Sequence, residues 1–203
     1  MSISAQDRDR ISAAIRGVEA RTSGEIVCVL ARTSADATAL PVLMAALATL
    51  ALPWLLVAFT QMSVHRILLL QIATFLVLAP VLCLPFVRVL LMPPAARRAV
   101  AHRMAMEQFA IRDLARKAER TGILIFVSLA ERYARIIADE GVAARVPQSE
   151  WKAAVDALVA HMRDGRIADG FVAAIDACGN VLGTHFPRTG TSRDELPNRI
   201  YVI

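Results

Sequence analysis

Two stretches without a formal charge constrain this chain more than anything else: Ala37–Val64, 28 residues, and Ile67–Val87, 21 residues, separated only by His65 and Arg66. A bilayer's hydrocarbon core is ~30 Å thick and takes ~20 helical residues at ~1.5 Å each to cross. Each stretch is long enough, and the link from Gln61 to Arg66 is short enough to make them a hairpin whose ends emerge on one side. The spans are expected at about 40–60 and 67–87. A pair of helices buried in a soluble core is the competing reading. Both runs are apolar on every face, however, and the rest of the chain is too small to cover them. Pro53 and Pro80 fall inside the runs. A soluble helix loses ~3 kcal/mol or more to an interior proline, whereas membrane helices tolerate one because neighbouring groups satisfy the freed carbonyl. Composition agrees: 56% of the residues are hydrophobic and only 5% aromatic, against ~45–50% apolar in soluble domains. The excess is aliphatic.

The side holding both chain ends carries Arg32, Arg88, Arg97, Arg98 and Arg103, while the connecting loop offers Arg66 alone. The excess of positive charge on cytoplasmic loops predicts a multi-pass protein of a bacterial-type inner membrane with both termini in the cytoplasm and the lipid bilayer as partner. Asp7, Arg8, Asp9, Arg10 and Glu19 precede any apolar run, which argues against an N-terminal signal peptide. The net charge of +5 and pI near 9.7 come largely from arginines that follow a membrane exit. Topology and contact with anionic lipid account for them. No helix-turn-helix, zinc finger or aromatic-basic RNA motif accompanies them, so no nucleic acid partner is expected.

Four segments are expected: 1–36, the membrane hairpin 37–92, 93–187, and a tail 188–203 that is extended and partly ordered. Ile11, Ala14, Ile15 and Val18 recur at helical spacing. Residues 24–31, apolar on both alternating faces, predict a doubly covered strand. Pro93 and Pro94 end the membrane run, and Val100, Met104, Ile111, Leu114 and Ala118 predict a helix that Gly122 closes. Residues 122–129 predict a second central strand. A turn at Ala130-Glu131-Arg132 leads to a third strand over Tyr133–Asp139, antiparallel to the second, and Glu140-Gly141 closes that hairpin. Ser149 is expected to cap a helix through Val155, Leu158, Val159 and Met162, ended by Gly165. Ile167 to Cys178 predicts one more helix, and Gly179-Asn180 a break before a fourth strand, VLGTHF, over 181–186. The expected fold class is α/β: a three-layer α/β/α sandwich with a mixed sheet, interrupted by a two-helix transmembrane hairpin.

Several strings in this order carry a resemblance. Glu19-x-x-Thr22-x-Gly24-Glu25-Ile26-Val27, then Thr121-Gly122-Ile123-Leu124-Ile125-Phe126-Val127, then Glu131-Arg132-x-x-x-Ile136-x-Ala138-Asp139-x-Gly141 resemble the TPM domain family. Trp151, Arg163-Asp164-Gly165 and Gly170 match further, so the likeness spans about residues 5–36 and 99–187. The resemblance implies an α/β/α sandwich, often membrane-tethered. It also implies an association with phosphatase activity, with divalent-metal binding, or with assembly or repair of membrane complexes. Two features depart from the family pattern. The hairpin is inserted after the first strand, and Asp139-Glu140-Gly141 replaces a glycine-tyrosine-glycine loop.

The sequence holds no GxxxxGK[ST], GxSxG, HExxH or CxxC motif, and no Cys-x5-Arg loop. Cys28, Cys83 and Cys178, odd in number and far apart, read as small buried residues. Asp7-Arg8-Asp9 reads as solvated charge on a helix, His161 as an exposed helix residue, and His185 as a structural residue of the last strand. The loop carboxylates Asp139, Glu140, Asp164 and Asp169 are candidate ligands for Ca²⁺ or Mg²⁺ if one end of the sheet gathers them. Helix capping and solvation are the alternative, since Asp169 in a first turn is favourable without a metal. Glu25 and Arg132 are candidates for an ion pair fixing two strand ends. The expected function is a binding or assembly module for membrane proteins or complexes. A divalent-metal-dependent phosphatase, with Asp139 and Asp164 as ligands, is the enzymatic alternative. Two helices without an intramembrane charge offer no ion pathway of their own.

Overall fold

The computed structural model describes residues 3–34, 39–84, 87, 92–112, 121–188 and 197–203. They form two compact units, Met1–Ser34 with Ala101–Ile203, and Ala35–Val100.

The first unit is built on strands β1 (Glu25–Ala31), β2 (Gly122–Ser128), β3 (Tyr133–Ala138) and β4 (Ile200–Val202). Their order in the sheet is β3-β2-β1-β4. β1 is parallel to β2 and β4, and β2 is antiparallel to β3, so the sheet is mixed. All seven residues of β1 and all seven of β2 are buried, as strands covered on both faces require. Ile26, Cys28 and Leu30 point to one face, with Ile123, Ile125, Val127 and Ile136. There they meet α1 (Ala5–Glu19), α6 (Trp151–Arg163) and α7 (Ile167–His185) through Ile11, Ile15, Trp151, Leu158, Phe171 and Ile175. Val27, Val29, Leu124 and Phe126 point to the other, against Ala105 and Phe109 of α4 (Pro94–Ile111). The result is the three-layer α/β/α arrangement expected from the pattern.

Local signals explain the element ends. α1 starts at a capping box: the Asp7 backbone N–H donates to Ser4 Oγ at 3.1 Å, and the Ser4 N–H donates to Asp7 Oδ2 at 3.3 Å. Asp7 is therefore a capping residue as well as a solvated one. Gly165, at φ 76°, adopts the left-handed conformation that ends α6. The turn between β2 and β3 places Arg132 at φ 51°.

Five expectations are corrected. Residues 181–185 are the last turns of α7, and the fourth strand is Ile200–Val202, within the expected tail. Gly179 is not a helix break but serves close packing: a Cβ there would lie 2.6 Å from Val18 Cγ2 of α1. Leu182 continues the buried stripe of Ile175 and Cys178, so helical burial is gained by carrying on. Ser149 makes no cap bond, because a 3₁₀ turn over Gln148–Glu150 leads into α6. Asp139-Glu140-Gly141 is no simple closure of the hairpin; Asp139 caps α5 (Glu140–Ala143). His185 ends α7, with Nε2 3.8 Å from Glu150 Oε2. Leu114 and Ala118 lie outside the described residues.

The second unit contains α2 (Ala39–Phe59) and α3 (Val64–Cys83), packed on one another. Both helices continue through their prolines. Small residues sit where little else is buried, at Ala45 and Thr49, with Ile67 of α3; Thr49 Oγ1 donates to the Ala45 carbonyl at 2.8 Å. Pro41–Phe59 and Val64–Cys83 are long and apolar enough to cross a membrane, with only 11% and 6% of those windows buried.

Candidate functional site

The start of β1 and β2 and the end of β3 meet at one edge of the first unit. Glu25 pairs in register with Gly122, and the Asp139 N–H donates to the Gly122 carbonyl on the other side at 2.9 Å. The two carboxylates thus flank a residue without a side chain. Two strand spacings separate their backbones by about 10 Å. Strand alternation places both on the face of Val27, Leu124 and Ile137. Both are buried, Glu25 at 3% exposure and Asp139 at 5%. Asp139 Oδ1 accepts the Glu140 N–H at 2.7 Å. Its Oδ2 is buried and has no hydrogen-bond donor among the described residues. An ionised carboxylate oxygen in that position is costly unless something positive or protic reaches it.

A buried polar network braces this corner. Thr121 Oγ1 donates to the Ser23 carbonyl at 3.1 Å. Thr22 Oγ1 donates to the Phe186 carbonyl at 2.6 Å and accepts the Gly24 N–H at 3.1 Å. Glu19 Oε1 accepts the Ile26 N–H at 3.0 Å, joining the end of α1 to β1. Glu19 and Thr22 belong to the first string that carries the family resemblance; the Ile26 and Gly24 N–H groups they accept lie within that string, and Phe186 lies far along the chain.

The other expected ligands are elsewhere. Asp164, past the end of α6, receives Arg166 Nη2 at 2.8 Å; Arg166 holds its carboxyl below the usual range. Asp169, in the first turn of α7, receives Arg10 Nη2 at 2.7 Å, and Arg10 lowers its carboxyl likewise. The Asp139 corner adjoins Gly24, on which Leu182 packs, and Asp169 lies thirteen residues before Leu182 in α7, roughly 20 Å along the helix. The structure brings Asp139 and Glu25 together, with exposed Glu140 adjacent, and leaves Asp164 and Asp169 in separate ion pairs. Among the described residues, no three His, Cys, Asp or Glu side chains are grouped to hold a metal ion.

Arg132 does not pair with Glu25. Glu25 lies opposite Gly122, and Arg132 follows the far end of β2, about 20 Å along the strand. The buried carboxylate at that far end is Glu131. It accepts Thr33 Oγ1 at 3.0 Å and the Ser34 N–H at 3.0 Å, and Ser128 Oγ donates to it as well. Glu131 therefore fixes the segment leaving β1 to the β2–β3 turn.

Neither buried thiol of the first unit is a poised nucleophile. Burial pushes Cys178 up to about 12. Cys28 is raised by burial first, then by the neighbouring Cys178 and Glu19, whereas reactive thiols are lowered. An open cleft of about 430 Å³ runs beside β3 and α6, lined by Tyr133, Arg135, Gln148, Trp151 and Lys152 among others. None of the expected carboxylates lines it.

Comparison with known proteins gives two findings. A family model described as TPM domain matches residues 87–181. The solved NMR structure of the BA42 protein from the psychrophilic bacterium Bizionia argentinensis is similar, with a TM-score of 0.63 and 20% identity, over 100% of this chain and 97% of that one. At that identity the likeness concerns the fold. No curated protein matches the chain.

Proposed function

We propose, from the TPM domain match over residues 87–181, that this chain is an integral membrane protein whose TPM-like domain is a binding or assembly module for other membrane proteins or complexes. The observation that carries the membrane part is the bareness of α2 and α3. Leu43, Leu47, Leu50, Leu69, Leu76 and Val77 are each at least half exposed, and Trp54 is 80% exposed. A contiguous apolar surface of that extent marks a membrane or protein contact, and both helices have spanning length. The arginine asymmetry favours a bacterial-type inner membrane with both termini cytoplasmic. Labelling intact cells with an impermeant maleimide tests this: Ser63→Cys reacts and Ser2→Cys does not. The opposite pattern reverses the topology, and equal reaction at both sites excludes a spanning hairpin.

The module part rests on chemistry. The polar side chains buried at the start of the sheet cap strands and helices, and the thiols are held protonated. Reconstituting the full chain with its native membrane and crosslinking from the TPM domain tests the reading. It predicts a discrete adduct that persists when Asp139 is replaced by Asn.

One observation favours a second reading, a divalent-metal-dependent phosphatase: the buried Asp139 Oδ2 without a donor among the described residues. Asp139 and Glu25 would hold the ion, with water completing its shell, as Mg²⁺ commonly keeps several waters. Asp164 takes no part, being engaged by Arg166 on a separate loop. Such an ion would supply charge to a phosphoryl oxygen and an activated water. Titrating Ca²⁺ and Mg²⁺ into the detergent-solubilised full chain separates the readings. Saturable shifts at Asp139 that vanish in Asp139→Asn favour the phosphatase, and their absence favours the module.

A further inference from the structure

Tyr201, in edge strand β4, carries two guanidinium groups on its ring. Arg112 Cζ lies 3.4 Å from the ring centroid and Arg199 Cζ 4.8 Å. Arg112 follows the end of α4 and Arg199 precedes β4, so segments far apart in sequence meet here. The stacking attracts each cation to the ring, but it also holds two like charges together. Among the described residues neither guanidinium has a carboxylate partner. Arg112 Nη2 donates to Gln108 Oε1 at 3.0 Å, while its Nε–H is buried and has no acceptor among the described residues.

Burial lowers the Arg112 pKa from the ordinary guanidinium value; Tyr201 opposes that shift and the charge of Arg199 adds to it. The repulsion between two guanidiniums held on one ring is relieved by an anion with several oxygens. A phosphate group has this geometry, and guanidinium recognises it through parallel N–H···O bonds. A lone chloride would offset the charge without matching the forks.

We propose that Arg112, Tyr201 and Arg199 form a binding site for a phosphate group, supplied either by free phosphate or a phosphomonoester in solution or by a phospholipid headgroup. Tyr201 is the platform that orients both guanidiniums. The site is separate from the carboxylate corner: Tyr201 lies opposite Val29, four residues along β1 from Glu25. It goes beyond the module reading and does not depend on it.

The test is calorimetric titration of the full chain in non-ionic detergent at fixed ionic strength, with two probes: inorganic phosphate, and soluble dihexanoylphosphatidylglycerol below its micelle concentration. Arg112→Gln and Arg199→Gln each weaken binding about tenfold, and the double variant abolishes it, because each fork supplies charge-assisted bonds. Arg112→Lys falls between wild type and Arg112→Gln, since charge remains without the fork. Circular dichroism establishes that each variant is folded. Phosphate binding lost in the variants assigns the site to soluble phosphate; binding of the lipid probe alone, lost in the same variants, assigns it to a headgroup. No saturable binding of either probe, or equal binding by wild type and double variant, overturns the proposal.

Discussion

Strand β1 reads EIVCVLA and buries every residue; helix α2 is more apolar over 21 residues and leaves most of its large side chains bare. The difference lies in what surrounds them. β1 has a strand on each edge and a helical layer on each face, so its two alternating rows of side chains both find partners. Among the described residues of its own unit, α2 has one helix beside it and buries only Pro41, Ala45 and Thr49. Apolar composition therefore states that a segment avoids water, and the partners decide whether protein or lipid takes water's place.

The largest effects should mark this contrast. Phe171→Ala removes a fully buried side chain between α7 and the sheet, and a loss of ~3–5 kcal/mol is expected in urea unfolding of the detergent-solubilised chain. Leu50→Ala, on the bare side of α2, should leave the same transition nearly unmoved. An equal loss at both sites would break the comparison. Leu50→Arg reverses the ranking for insertion: a charge at a helix centre costs ~2.5–3.5 kcal/mol, measurable as a shift from membrane to soluble fraction.

The glycines of α7 sharpen it further. Gly179→Ala forces a Cβ into Val18 and should destabilise by ~1–3 kcal/mol, as overpacking does. Gly183→Ala meets nothing within 4 Å and should stabilise by up to ~1 kcal/mol through helix propensity. Thermal unfolding of the pair checks whether α7 is helical through residue 183. Were 181–186 a strand, the propensity gain at 183 would be absent.

This pair also shows where the sequence was legible. The central strands and the hairpin followed from uninterrupted apolar runs, and the helical layers from stripes at helical spacing. The end of α7 did not, because glycine serves both to stop a helix and to let two helices touch, and only the position of Val18 distinguishes them. β4 is three residues long, too short for a periodic signal, and is held by pairing with β1. Of the expected site residues, Asp139 and Glu25 converge through strand register. Asp164 and Asp169 are drawn away by Arg166 and Arg10, and the sequence separation of 159 between Arg10 and Asp169 hides that pairing.

The smallest effect is on the acid side. Arg10 holds the Asp169 carboxyl low in the folded chain. Its contribution is complete above the unfolded value of ~3.9 and is lost as pH falls through the lowered folded value. Asp169→Asn should reduce the difference in stability between neutral pH and pH about 3, only slightly because the pair is solvent-exposed.

The chain contains two tryptophans, one in each region: Trp151 is buried under the sheet and Trp54 stands out from α2. Quenching by brominated lipid therefore tests the central claim, that the α2–α3 surface faces lipid, within one reconstituted molecule. The account predicts strong quenching in the wild type and almost none in Trp54→Phe, whose remaining tryptophan is walled in by protein. Unquenched emission from Trp54, with full access to aqueous iodide, would contradict it.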